Sequence, residues 1–326
     1  MSVPQRISRP PSCVLTFDVE DWFQVENLRS LFPCGDWDRV PRRVAAATRT
    51  VLELLGEDRR PATFFVLGWV AEREPALIRE IADRGHEVAA HGYGHVLPTQ
   101  LTAAEFRDDI LRARKVLEDL TGQRVSGYRA PSFSLPGDYL GILGECGFSY
   151  DSSLHPFSLH DRYAPLDGLG VPLRPGVFPI DGGMMELALP VERWWRVELP
   201  ISGGGYFRLY PGQLFRRLAR RAIRRDGHYV MYLHSWEFDP EFPRVRVPGF
   251  GYGFRHYNNL KRTLPRMRRL LAMMDRLGAT CARADHFLEG VRRSAAAPAR
   301  MDTQAQTPEH ADGLAVSARL DDRGPS

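Results

Sequence analysis

The 326-residue sequence has almost no lysine: Lys115 and Lys261 are the only two, and every other cation among its 44 Lys and Arg is arginine. Against 40 acidic residues the net charge is +4, too small a surplus to specify a nucleic-acid partner. Cysteine is scarce as well. Cys13, Cys34, Cys146 and Cys281 show no CxxC spacing, which excludes a disulfide framework and a zinc knuckle and reads as buried thiols in a reducing compartment. No run of about 18 apolar residues occurs, so no membrane-spanning helix is expected. The opening MSVPQRISRPP lacks an apolar h-region; a cleaved secretory signal is not expected, and the location reads as cytoplasmic, with the inner-membrane face as an option. A hydrophobic fraction of 43% and a charged fraction of 26% exclude wholesale disorder.

What is present is an alternating pattern. Residues 1–12 form an arm. CVLTF (13–17) is a short apolar run that ends in Asp18 and reads as a buried strand. Val44, Thr48, Val51 and Leu55 recur at helical spacing with Gly56 as a stop. ATFFVL (62–67), HEVAA (86–90) and Val125–Tyr128 are further strands, and a helix runs between Pro75 and Gly85. Thr102-x-x-Glu105 is a capping box that opens a helix through Leu120. A helix near Tyr139–Cys146 and a strand into Asp151 continue the rhythm, which is that of a parallel sheet built from βαβ units. Residues 157–227 begin with a Gly- and Pro-rich stretch and read as a loop-rich insertion over the mouth of the sheet, with the triplet Gly203–Gly205 as a turn and a basic helix over 213–225. HYVMYL (228–233) is a strand that ends at His234. A last helix covers Leu260–Leu277, capped by Asn258 or Asn259, and a strand lies at 279–283. Residues 291–326 lack aromatics and read as a disordered tail.

Asp18, His91, Arg129, Asp151 and His234 each sit at or just after the end of a predicted strand. In a parallel α/β barrel these ends open onto one face, which carries the active site. His91 and His95 form an HxxxH pair without the glutamate of a zincin, and Gly92 and Gly94 place the pair on a loop. Two imidazoles need an anionic third ligand to hold a cation with open positions. The cluster Asp18-Val19-Glu20-Asp21 offers the candidates. Arg216, Arg217, Arg220, Arg221, Arg224 and Arg225 form a basic helix face, read first as solvated and second as a contact for anionic lipid or polymer.

These residues carry a resemblance. LTFDVEDWFQVENL (15–28), ATFFVLG (62–68), HEVAAHGYGH (86–95), YRAPSFS (128–134), YDSSLHP (150–156), YLHSWEFDP (232–240) and FRHYNNLKRTLPR (254–266) resemble, in this order, the NodB-type polysaccharide deacetylases of carbohydrate esterase family 4. GGGYFRLYP (203–211) and the last stretch are similar to the extra C-terminal region, placed here at 235–290, of deacetylases from exosortase-associated exopolysaccharide loci. The resemblance implies a distorted (β/α)7 barrel over 13–290 and metal-dependent hydrolysis of an N-acetyl group from a sugar. It implies Asp18 as general base, His91 and His95 as metal ligands, Arg129 as the residue that orients the base, Asp151 as support for a histidine, and His234 as general acid.

Three departures follow. Val19 stands where a second aspartate usually binds the metal, so the third ligand is expected to be Glu20, two residues on and on the same side of an extended strand, with Asp21 as the alternate. Gly92 replaces a common Ser or Thr. Ser132 replaces a tyrosine whose backbone N–H is an oxyanion donor, and it keeps that N–H. Tyr206 and Trp236 are the aromatic candidates for sugar binding. The expected cofactor is a divalent metal, zinc by ligand type. The expected partner is an N-acetylated carbohydrate. An amidohydrolase of the same fold acting on a small non-sugar amide and a catalytically decayed glycan-binding module remain as alternatives.

Overall fold

A computed structural model describes residues 10–156, 169–194, 197–246 and 250–296. The strands are β1 (Ser12–Val19), β2 (Thr63–Val66), β3 (Glu87–Ala90), β4 (Gly127–Tyr128), β5 (Tyr150–Asp151), β6 (Val177–Pro179), β7 (Met185–Leu187), β8 (Val191–Trp194), β9 (Val197–Pro200), β10 (His228–His234) and β11 (Thr280–Ala282). The helices are α1 (Val44–Gly56), α2 (Gly68–Arg73), α3 (Pro75–Asp83), α4 (Ala103–Thr121), α5 (Tyr139–Glu145), α6 (Gly204–Leu209), α7 (Gly212–Asp226), α8 (Phe250–Tyr257), α9 (Thr263–Arg276) and α10 (Ala284–Ala296). Seven strands run parallel in the order β10-β1-β2-β3-β4-β5-β7, β11 adds an eighth parallel strand along the first residues of β1, and β6 lies antiparallel on β7 at the edge. Among the described residues β10 and β7 do not pair, so the sheet curls into a barrel that stays open on one side. This is the distorted seven-stranded architecture expected.

β1 is the centre because it is buried almost throughout and alternates its two faces. Cys13, Leu15, Phe17 and Val19 pack in the main cluster with helix residues such as Val51, Leu55, Ile78 and Ile110. Val14 faces the barrel interior with Phe65, Tyr150 and Val230. Thr16 and Asp18 share that inner side by the same period and both accept from Arg129.

Four expectations need correction. The segment 157–227 is not all insertion: β7 belongs to the parallel sheet, where Asp151 pairs Glu186, and only β8–β9 form a separate hairpin. Three strand residues between glycines and prolines give too short a run to show a period. The tail does not begin at 291. α10 runs to Ala296 because Ala284, Phe287, Leu288 and Val291 recur at helical spacing and join the inner cluster, while Ala284 N–H and Asp285 N–H bond Thr63 and Glu87 at the starts of β2 and β3. The helix thus plugs the end of the barrel opposite the strand C-termini. The remaining tail, 297–326, lies outside the described residues, as do residues 1–9 of the arm. Asn259 does not cap the last helix; its amide donates to the Arg208 carbonyl at 3.0 Å. Finally, of the four free thiols, Cys34 is exposed and Cys281 is partly exposed.

Candidate active site

The parallel register places the chemistry. Asp18 lies opposite His234 across β1 and β10. His91 and Arg129 follow β3 and β4, which pair Ala90 with Tyr128. Asp18 Oδ1 accepts from Arg129 Nη1 at 2.8 Å, and Oδ2 is 3.8 Å from His91 Nε2. Arg129 is fully buried, with Ser152 accepting its remaining donors. Glu20, two residues past Asp18, turns to the same side. Its Oε2 is 2.9 Å from His95 Nε2, and its Oε1 accepts from Trp236 Nε1 at 3.1 Å and lies 3.4 Å from His234 Nε2. Burial would raise the Glu20 pKa, but the His95 and His234 charges outweigh it and hold the carboxyl near 2.

Asp21 points elsewhere. Its carboxylate accepts the backbone N–H groups of Trp22, Arg43 and Val44, at the first turn of α1. It is therefore a capping residue, and the alternate third ligand is ruled out by the direction of its side chain.

The 91–95 loop is built by close approach. His91 Nδ1 donates to the Arg129 carbonyl at 2.8 Å, which leaves Nε2 as the lone-pair nitrogen. Burial above all, with the neighbouring His95, pushes its pKa down to about 4, against the pull of Asp18. Asp109 on α4 accepts the Tyr93 N–H at 2.9 Å. Gly92 sits at φ +74°, and a Cβ there would meet Asp109 Oδ2 at 2.8 Å. The glycine is thus required by the loop path, which explains the missing hydroxyl. His95 itself holds φ +52°, an unusual conformation for a non-glycine residue.

Ser132 and Phe133 occupy left-handed backbone in succession, φ +52° and +57°. Strain of this kind is stored where a turn is held from outside; here Ser153 Oγ accepts the Ala130 N–H at 2.9 Å. Asp151 lies behind this turn. It accepts from Ser153 N–H and Oγ–H and pairs with Glu186, whose pKa burial and the Asp151 charge drive far up. Asp151 is therefore occupied away from His234, whose neighbouring carboxylates are Glu20 and Glu237.

The carboxylate beside His234 is Glu237, three residues on in the turn that follows β10. Its Oε2 is 3.7 Å from His234 Nδ1 and accepts the His234 backbone N–H at 3.1 Å. Buried Arg208 from α6 holds its Oε1 at 3.0 and 3.2 Å. Burial works against charge on both groups. Even so, Arg208 and then His234 keep Glu237 near 2, and Glu20 followed by Glu237 raises His234 to about 9. Tyr232 Oη lies 2.6 Å from His234 Nε2. Asp18, Glu20, His91, His95, Ser132 and His234 all line one cavity of about 130 Å³. Tyr206 and Trp236 also line it. Trp236, however, is not an open platform: it stacks on His234 and His256 at 5.3 and 4.7 Å, and only 4% of it is exposed. Its contribution is the indole N–H on Glu20.

Residues 7–150 match the polysaccharide deacetylase family model, and residues 152–277 match a domain of unknown function, DUF3473. The N-terminal segment is thus similar to the polysaccharide deacetylase family. A peptidoglycan deacetylase of Helicobacter pylori is 36% identical over 115 residues, 35% of this chain and 38% of that protein. A chitooligosaccharide deacetylase of Bradyrhizobium is 34% identical over 103 residues, 31% of this chain and 47% of that protein. The chain thus spans less than half the length of these curated relatives. A candidate polysaccharide deacetylase from Mycobacterium smegmatis has the same fold, with a TM-score of 0.59 at 23% identity over 90% of this chain and 94% of that one.

The donor set of this chain fits a divalent cation. Glu20, His91 and His95 each offer one atom within 4.8 Å of the others, and Glu20 Oε2 is buried without a hydrogen-bond partner. Ligands held at ~2.1 Å around a tetrahedral zinc lie ~3.4 Å apart, in the same range. Glu237, Arg208 and Asp109 were not among the residues anticipated. An acid three residues after His234 was a legible signal, whereas a buried arginine in a Gly-rich segment and an aspartate inside α4 carried none.

Proposed function

We propose that the chain is a metal-dependent hydrolase that removes N-acetyl groups from amino-sugar residues of a poly- or oligosaccharide, in exopolysaccharide biosynthesis. The observation that carries this reading is the convergence of Asp18, Glu20, His91, His95 and His234 on one cavity at the strand C-termini. The peptidoglycan and chitooligosaccharide deacetylases among the relatives support the substrate class. The exopolysaccharide role rests on the resemblance of residues 203–211 and 254–266 to the exosortase-associated group.

A divalent cation held by Glu20, His91 and His95, zinc being favoured by this ligand type, would acidify a water and polarise the acetyl carbonyl. Asp18, oriented by Arg129, takes the proton of the attacking water. Ser132, at the cavity wall, supplies a backbone N–H for the oxygen that becomes negative. His234, held charged by Glu237, gives its proton to the leaving nitrogen, because an amine cannot depart as an anion. Acetate and a free amine result. The test is acetate release from N-acetylated oligosaccharides alongside zinc content. His91→Ala with His95→Ala should abolish both. Full activity in that double variant, or release from small amides alone, would overturn the reading.

A further inference from the structure

Charge on this protein is segregated. α7 carries six arginines against Asp226, a net +5, and residues 260–276 carry five arginines and Lys261 against Asp275, another +5. Because the whole chain is only +4, everything else together is −6. The two helices pack side by side, and Arg266 of α9 fixes the α6–α7 junction by donating to the carbonyls of Phe207, Arg208 and Tyr210. Burial and the cations of Arg262 and Arg216 push the Arg266 pKa down, so both helices contribute to one field.

Part of this charge is used internally. Arg221 and Arg225 meet Glu192, and Arg268 meets Glu57. Arg217, Arg220, Arg224, Lys261, Arg262 and Arg269 are exposed, and none has a carboxylate within 4.0 Å among the described residues. On α7 the buried side is Phe215, Ala219, Ala222 and Ile223, so Arg217, Arg220 and Arg224 form the opposite stripe. That stripe begins beside exposed leucines. Leu214 is 42% and Leu209 49% exposed.

We propose that this face docks on an anionic phospholipid surface. A soluble polyanion would need the cations alone. The leucines at the end of the stripe favour a bilayer interface, where arginines reach phosphates and leucines enter the acyl boundary. The face is joined to the cavity through α6, where Tyr206 lines the cavity and Leu209, three residues on, is exposed. The inference is independent of the proposed activity, because vesicle binding reads no catalysis.

The test is co-sedimentation of the full chain with phosphatidylcholine vesicles, with and without about 30% phosphatidylglycerol. Wild type should bind the anionic vesicles at least ~10-fold more tightly, and salt should weaken binding. Arg217→Glu, Arg220→Glu and Arg224→Glu together should remove that preference, and Leu209→Ser with Leu214→Ser should weaken binding ~3-fold or more. Unchanged zinc binding and melting would show that both variants remain folded. Equal binding to both vesicles, or wild-type binding by the arginine variant, overturns the proposal. So does undiminished vesicle binding by the leucine variant together with equally tight binding to soluble heparin, which would make the face a polyanion site.

Discussion

Replacing Glu237 by Gln isolates the support of the proposed acid. Gln keeps the volume and an acceptor for Arg208, and removes the charge 3.7 Å from His234 Nδ1 together with the acceptor of the His234 backbone N–H. At an effective dielectric of ~20 that separation corresponds to ~4 kcal/mol. His234 is 20% exposed at the side chain, and discounting for that access leaves ~2 kcal/mol, or ~1.5 pH units. A cation at Glu20 would offset the pull of that carboxylate, so Glu237 would become the main support of the imidazolium. The His234 pKa falls in the variant, which depletes the acid form as pH rises. Acetate release from an N-acetylated oligosaccharide should therefore drop ~30-fold at alkaline pH and converge with wild type on acidification. 4-Nitrophenyl acetate, whose leaving group needs no proton, should change less than ~3-fold. Equal losses on both substrates, or no loss on the amide at alkaline pH, would refute the assignment of Glu237 as the positioning partner of a general acid.

Glu20→Gln should cost at least ~100-fold in zinc affinity by calorimetry, whereas Asp21→Asn should stay near wild type in zinc affinity and lose ~1–2 kcal/mol of stability to urea, since it caps α1. Gly92→Ala should destabilise by ~1–3 kcal/mol, as φ +74° and the 2.8 Å approach of Asp109 both oppose a Cβ; an unaffected unfolding midpoint would contradict the loop geometry. Gly204→Ala drives a Cβ into the Glu237 carboxylate, so it should melt lower and reproduce the amide-specific defect of the Gln variant. Glu237 has a folded pKa near 2 against an ordinary 4.5. Its stabilisation is therefore complete above about 4.5 and is lost as pH falls toward 2. Metal-free Glu237→Gln should show a shallower loss of melting temperature over that interval.

The legible parts of the site were those in which neighbours in sequence remain neighbours in space. Asp18 and Glu20 share a side because an extended chain repeats every two residues, and Thr102 and Glu105 close a capping box within one turn, as the structure bears out. Asp151 shows the limit. Its place at a strand end was readable. Its partner was not, because which strand lies beside β5 is decided by the curl of the sheet and by a three-residue strand with no periodic signature.

Local chemistry in the chain determined the alternation of strands and helices, the strand-end positions of Asp18, His91, Arg129, Asp151 and His234, and the two-imidazole loop. Tertiary structure alone decided that Asp21 turns away to cap α1, that Asp151 lies beside Glu186 and not His234, and that α10 closes the barrel. The reason is physical: periodicity assigns a side chain to a face, but long-range register and the low dielectric of a shared interior choose its partner.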